Sequence, residues 1–190
     1  MKFFERFSRA AFVACVILII GGIIEIVALA SPYWNLTYAA TFGKIGHIGL
    51  WLICKRVQAA VLTTSCVGYD DIVPGWVVAV RALNVIGLMF GSGALVSMGL
   101  FTFLNSERYD KIFKISALTS AILAGVLIII GAIVYGASIR AGKAVVPYET
   151  SMATYSHELS WAFGLSIVAA IFCIVSGVVM GFARKPRVVS

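Results

Sequence analysis

Four apolar stretches, each long enough to cross a bilayer, constrain this chain more than any other feature. They run over about residues 10–30, 77–101, 115–138 and 162–182. About 20 mostly apolar residues span the hydrocarbon core as a helix, so each stretch predicts one transmembrane helix. The composition agrees, because 61% of the 190 residues are hydrophobic and only 12% are charged. We therefore expect one membrane domain over residues 1–190, with no separate soluble domain.

The distribution of basic residues predicts the orientation in the membrane. Lys2, Arg6 and Arg9 precede the first stretch, as they would precede a signal-peptide core, but this stretch is longer than such a core and three more spans follow. With both chain ends on one side, that side carries nine basic residues against six on the other. Both termini are therefore predicted to be cytoplasmic. The net charge of +7 indicates contact with the headgroups of the lipid bilayer and does not indicate nucleic acid binding.

Two segments are predicted to lie outside the cell, over residues 31–76 and 139–161. The first contains short runs rich in β-branched and aromatic residues, which favour a small antiparallel β-sheet over the alternative of an irregular loop. This segment also holds Cys54 and Cys66. Because the exterior is oxidising, we expect a disulfide between them, the alternative being two free thiols. Asn35 begins a glycosylation sequon whose closeness to the membrane leaves its occupancy open.

Glu25 is the most informative polar residue of the predicted spans. It lies roughly 7 Å inside the outer end of the first helix, at 1.5 Å per residue. A carboxylate at that depth is costly, so we expect it to face the other helices. Arg81 and Asn84 lie at a similar level of the second helix, and we predict that Glu25 pairs with one or both of them. The alternative is that Glu25 reaches the membrane surface without a partner.

Small residues spaced four apart predict close helix contacts in three of the four spans. The pairs are Gly87 and Gly91, Ala132 and Gly136, and Gly177 and Gly181. No pattern indicates catalysis or a cofactor. A zinc site is not predicted either, because no histidine follows His157-Glu158 at the spacing such a site requires.

One combination of residues carries a family resemblance. Trp34, Gly49-Leu50-Trp51, Cys54 and Cys66, followed by Arg81, reproduce the W–GLW–C–C signature and following arginine of the claudins. The chain thus resembles the superfamily of claudins, peripheral myelin protein, epithelial membrane proteins, lens fibre membrane protein and calcium-channel γ subunits. It is most similar to a divergent or invertebrate claudin-like protein, because the second outer segment and the terminal "PRVVS" depart from claudin patterns.

The resemblance implies a fold and a function. The fold is a four-helix transmembrane bundle with a small extracellular antiparallel sheet, which the signature residues seat on the helices. The implied protein lies in the plasma membrane at cell–cell junctions, where it associates with itself or related claudin-like proteins in cis and trans for adhesion or a paracellular barrier. Lys55 and Arg56 after the first cysteine imply an anion preference if a pore forms, the alternative being a solvated charged loop. The alternative function is an auxiliary subunit that modulates or traffics an ion channel or receptor.

Overall fold

Within the part of the chain that the structure describes, four consecutive strands follow the first helix, two helices come next, and a fifth strand precedes the last helix. The computed structural model describes residues 8–39, 43–58, 62–69, 73–104, 107–142 and 155–184. In chain order the elements are α1 (Arg9–Ala30), β1 (Asn35–Ala39), β2 (Gly43–Ile48), β3 (Leu52–Gln58), β4 (Leu62–Gly68), α2 (Gly75–Phe103), α3 (Glu107–Arg140), β5 (Tyr155–Leu159) and α4 (Trp161–Gly181). Within these ranges, four helices are long and apolar enough to cross a membrane. The predicted fold of four apolar helices with a small antiparallel sheet is confirmed.

Helix α3 begins earlier than its apolar stretch predicts. The apolar stretch predicts a helix from about residue 115, yet residues 107–114 form the first two turns of the helix. Glu, Lys and Arg are good helix formers, so the helix continues after the apolar run has ended. The hydropathy of the sequence thus predicts the part of α3 that contacts lipid, but it does not predict the residue at which the helix begins.

Within the described residues, the sheet has five antiparallel strands in the order β4-β3-β2-β1-β5. Four of them come from the segment between α1 and α2, where the runs of β-forming residues predict strands, although β2 lies largely outside those runs. The fifth lies directly before α4 and pairs with β1 in a register that places Asn35 opposite Leu159. Both predicted outer segments therefore contribute strands to one sheet.

The run "IGLWLIC" is divided between two strands instead of forming one. β2 ends at Ile48 and β3 begins at Leu52, so Gly49, Leu50 and Trp51 form the turn between them. The amide of Gly49 donates a hydrogen bond to the carbonyl of Leu52 at 2.8 Å, which closes this turn. β2 itself, "GKIGHI", is a strand that the sequence reasoning missed, because its glycines and lysine are poor strand formers.

The chain forms two compact units, and the single-domain organisation over residues 1–190 stays a prediction. One unit contains Ile26–Asn84 and Ile129–Ile167. Its buried core joins the sheet to the adjoining helix segments and consists of Trp34, Ile48, Leu50, Ile53, Val80, Tyr135, Ile139 and Ala162. Around this core pack further aromatic side chains, including Tyr33, Tyr69, Trp76 and Phe163.

The other unit contains Met1–Glu25, Val85–Ile128 and Val168–Ser190, and its described part is helical. Glycines allow close approach of its helices. A Cβ on Gly125 would lie 2.6 Å from the carbonyl oxygen of Ala170, and one on Gly87 would lie 2.8 Å from the Ile128 side chain. The Ser176 hydroxyl donates to the carbonyl of Ala14 at 2.7 Å and links α4 to α1.

The predicted small-residue pairs are only partly at such contacts. Gly87 and Gly177 are tightly packed, whereas a Cβ on Gly91 would meet only ordinary contact distances. Gly21 and Gly125, which the spacing did not single out, lie at equally close contacts. Spacing identifies a small-residue face, but the neighbouring helix decides which glycine on it is used.

Candidate functional site: the sheet and its anchor

Trp34 anchors the sheet to the end of α1. Its side chain is fully buried, and its indole N–H donates to the carbonyl of Ala28 at 2.7 Å. That carbonyl belongs to the last turn of α1 and also accepts a hydrogen bond from the Ser31 amide at 3.3 Å. The ring packs edge-on against Tyr135 and Phe163, with centroids 5.0 and 6.3 Å away. Trp34 is therefore a core residue of the unit that contains the sheet.

Gly49 occupies a point where two backbone segments touch. A Cβ at this position would lie 2.5 Å from the Cα of Pro32 and 2.6 Å from the carbonyl oxygen of Ser31. Both atoms belong to the backbone, so they have little freedom to move aside. The turn between β2 and β3 can therefore reach the end of α1 only with glycine here. The next residue, Leu50, is fully buried in the core, while Trp51 stays 41% exposed.

Arg81 ties the same turn to α2. Its Nε–H donates to the carbonyl of Leu50 at 2.7 Å. The guanidinium carbon lies 4.9 Å from the centroid of the Trp51 ring and 4.6 Å from that of Tyr69. Both distances are within the range of cation–π attraction, which is larger where the cation is partly removed from water. The Tyr69 hydroxyl in turn donates to the carbonyl of Gly49 at 3.0 Å.

The Cys54–Cys66 disulfide joins β3 to β4, as predicted. The two cysteines are directly opposed in the antiparallel ladder, with an S–S distance of 2.02 Å. Cys54 is fully buried and Cys66 is exposed. The bond closes a loop of about a dozen residues and contributes roughly 3 kcal/mol by restricting the unfolded chain.

His47 lies beside this disulfide and was given no role by the sequence reasoning. It is 8% exposed and stacks on Tyr33, with ring centroids 3.9 Å apart and an interplanar angle of 10°. The ammonium nitrogen of Lys44 lies over the same Tyr33 ring, 5.9 Å from its centroid. Burial, and to a smaller extent the nearby Lys44, lower the pKa of His47. In the sequence, the position of His47 two residues before the Gly49-Leu50-Trp51 signature could have indicated that this histidine lies near the site.

Asn84 joins three helices inside the membrane region. Its side chain is fully buried, donates to the carbonyl of Val80 at 2.8 Å and accepts a hydrogen bond from Ser166 at 3.3 Å. A Cβ on Gly131 would lie 2.8 Å from the Asn84 amide nitrogen, so α3 also approaches this group. Ser166 and Gly131 were not among the predicted residues, because their role depends on helix packing.

Glu25 is fully buried in α1, as its depth in the span predicts. Its proposed pairing with Arg81 or Asn84 stays a prediction. Of the two residues proposed as its partners, Arg81 donates to the Leu50 carbonyl in the turn between β2 and β3, and Asn84 hydrogen-bonds to Val80 and Ser166.

The sequon residue Asn35 is fully buried at the start of β1. It is opposite Ile48 of β2 and Leu159 of β5, so its side chain shares their face of the sheet. Neither of its amide atoms has a hydrogen-bond partner within the described part of the chain. A glycan on this nitrogen has no room in the folded sheet.

Lys55 and Arg56 are exposed on β3, opposite Ser65 and Thr64 of β4. They leave a positive charge on this part of the sheet. His157, the other histidine considered from the sequence, lies on β5, where its Nδ1 is 3.3 Å from the Thr37 hydroxyl. The anchor between the sheet and the helix ends thus consists of Trp34, Gly49, Leu50, Trp51 and Arg81. The Cys54–Cys66 bond of the signature lies within the sheet.

A comparison with protein families agrees with this geometry. The model of the PMP-22/EMP/MP20/Claudin family matches residues 9–180. Among the described elements, that range covers α1 to α3, the five strands and all of α4 except its last residue, Gly181. No individual curated protein matches the sequence. From the family match, the four apolar helices and the disulfide-linked sheet, we conclude that the chain is a member of the PMP-22/EMP/MP20/Claudin family.

Proposed function

We propose that this protein is a claudin-like structural protein of cell–cell contacts, which associates with further copies or with related proteins in the same and the opposite membrane. The observation that supports it most directly is the anchored sheet. Its core side is fastened to the helix ends by Trp34, Gly49 and Arg81, while strands β3 and β4 leave charged and polar groups exposed. An exposed surface on an anchored sheet suits binding, and we assign no catalytic residue.

Strand β4 is the proposed contact element. It is at one edge of the described sheet and pairs there with β3. Residues 63–68 are all exposed and carry no charge. An uncharged edge strand presents backbone donors and acceptors on which a second protein can dock. We place this edge on the extracellular side, with both termini in the cytoplasm.

Lys55 and Arg56 beside that edge support the proposed anion preference. Fixed positive charges along a narrow water-filled space attract anions and repel cations. Both side chains are exposed, so they are available to line such a space.

The test is expression of the tagged protein in an epithelial cell line that lacks its own junctional strands. We expect concentration at cell borders, and dilution potentials across the layer that indicate preference for chloride over sodium. The double variant Lys55→Glu and Arg56→Glu should shift the preference toward sodium. Arg140→Glu is the matched control, because Arg140 is equally exposed at the end of α3 but lies outside the sheet.

Two outcomes would contradict this proposal. Uniform distribution over the cell surface, without enrichment where two expressing cells meet, argues against a junctional role. Co-purification with a channel or receptor from isolated cells instead supports the auxiliary-subunit alternative. An unchanged ion preference in the double variant argues only against the role of Lys55 and Arg56.

A further inference from the structure

Three side chains that commonly bind metals meet on one face of the sheet. His47 on β2 is opposite Cys54 on β3, and Cys54 is opposite Cys66 on β4. One ring nitrogen of His47 and the two Sγ atoms all lie within 4.8 Å of one another. Directly opposed residues in antiparallel strands share a face, so the strand register itself holds these groups together.

We propose that this trio has a second state, in which reduction of the Cys54–Cys66 bond creates a site for a thiophilic divalent cation such as Zn²⁺. Tetrahedral zinc has Zn–S distances of about 2.3 Å and Zn–N distances of about 2.0 Å, which places its ligand atoms roughly 3.5–3.8 Å apart. The three groups already lie within 4.8 Å of one another. Small side-chain rotations therefore suffice, and no strand has to leave the sheet.

The position of His47 strengthens the proposal. Its ring is held by the stack on Tyr33, with centroids 3.9 Å apart, so little rotational freedom is lost when a nitrogen binds the cation. His47 and Cys54 are buried, which keeps two ligands away from competing water. Cys66 is exposed and leaves a route of entry, with the fourth coordination position open to water.

The chemistry has two steps. First, the S–S bond accepts two electrons from a reductant. With a trialkylphosphine and one water molecule, the products are two thiols and a phosphine oxide. Second, the cation displaces one proton from each thiol to the buffer and binds both thiolates and the neutral imidazole. The two negative charges balance the cation, so the loaded site is neutral overall.

Metal binding and disulfide formation then exclude each other, because both use the same two sulfur atoms. A newly made chain that has not yet been oxidised would hold β2, β3 and β4 together through the cation. We expect bound metal to slow oxidation of the pair, since coordinated thiolates are not free to attack an oxidant.

The experiment uses the full chain in detergent micelles, with Cys15→Ala and Cys173→Ala to remove the other thiols. After reduction with a phosphine, Cd²⁺ is titrated and the ultraviolet thiolate-to-cadmium absorption is followed. We expect one Cd²⁺ per chain in the reduced protein and none in the oxidised protein. His47→Gln should weaken Cd²⁺ binding by at least about 10-fold, because loss of a direct ligand should cost at least as much as loss of a group that hydrogen-bonds to a ligand. His157→Gln on β5 is the matched control and should bind like the parent.

Equal Cd²⁺ affinity in His47→Gln and the parent would overturn the proposal, and so would absence of binding by the reduced parent. A measurement on the parent alone covers the case in which His47→Gln does not fold. Zn²⁺ should protect both thiols from maleimide, and bound Co²⁺ should give the visible spectrum of a tetrahedral site with nitrogen and sulfur ligands. Unprotected thiols or an octahedral Co²⁺ spectrum would equally contradict it.

Discussion

At the scale of single residues, Arg81 shows how one side chain can serve the membrane span and the sheet together. Its guanidinium group lies within 5 Å of the ring centroids of both Trp51 and Tyr69, and its Nε–H donates to the Leu50 carbonyl. Lysine would keep the positive charge, but it has no planar guanidinium to stack on the rings and no Nε–H to donate to the Leu50 carbonyl. Identity of the side chain therefore matters here beyond its charge.

We predict that Arg81→Lys lowers the free energy of unfolding by about 1–2 kcal/mol, because one hydrogen bond and part of the stacking are lost. Thermal unfolding in detergent, followed by tryptophan fluorescence, measures this change. Arg140→Lys, at an exposed position, serves as control and should leave the midpoint unchanged. Equal midpoints for the two variants would show that the stack contributes nothing.

Asn35 illustrates a sequence motif that the fold makes unusable. The sequon is present, but its amide is fully buried between neighbours on β2 and β5. We expect no glycan on Asn35 in protein purified from animal cells, and therefore no mobility shift after treatment with an N-glycosidase. A shift that disappears in Asn35→Gln would contradict this expectation.

At the scale of elements, the turn between β2 and β3 depends on backbone contact. Gly49→Ala places a Cβ against Pro32 and Ser31, and the turn must move away from the end of α1. We predict a loss of about 1–3 kcal/mol in the free energy of unfolding, the range usual for overpacked sites. Gly68→Ala at the end of β4 meets open space and is the matched control. Comparable thermal midpoints for the two variants would be evidence against the close contact.

The helices offer a second matched pair. In Gly125→Ala the new methyl group meets the Ala170 carbonyl, whereas in Gly99→Ala it meets nothing within 4 Å. Alanine favours a helix over glycine by about 1 kcal/mol, so Gly99→Ala should raise the thermal midpoint. Gly125→Ala should lower it despite the same propensity, because α3 and α4 are forced apart. An increase in both variants would show that this helix contact tolerates a methyl group.

At the scale of the whole molecule, the proposed orientation places the sheet outside the cell. Thr63→Asn creates an Asn-Thr-Ser sequon on exposed residues of β4. If the sheet is extracellular, we expect this new site to carry a glycan that an N-glycosidase removes. A tag at either terminus should stay inaccessible to antibody until the cells are permeabilised. The absence of glycan together with surface labelling of the termini would mean the opposite orientation.

The sequence by itself determined the four spans and the oxidised cysteine pair. Both follow from the solvent, because a bilayer sets the length and polarity of a helix and an oxidising exterior joins two nearby thiols. The signature around Gly49-Leu50-Trp51 also pointed correctly to the family. Residue identities and their spacing can be read from the sequence, so this inference needed no tertiary contact.

Only the tertiary structure decided how these residues act. Burial of Trp34 and Asn35, the stack on Arg81, the pairing of β5 with β1 and the meeting of His47 with two cysteines all join groups that are distant in sequence. Local propensity and periodicity describe a residue and its near neighbours. Which backbone segment comes to lie against which is set by packing of the whole core, and that is where these contacts arise.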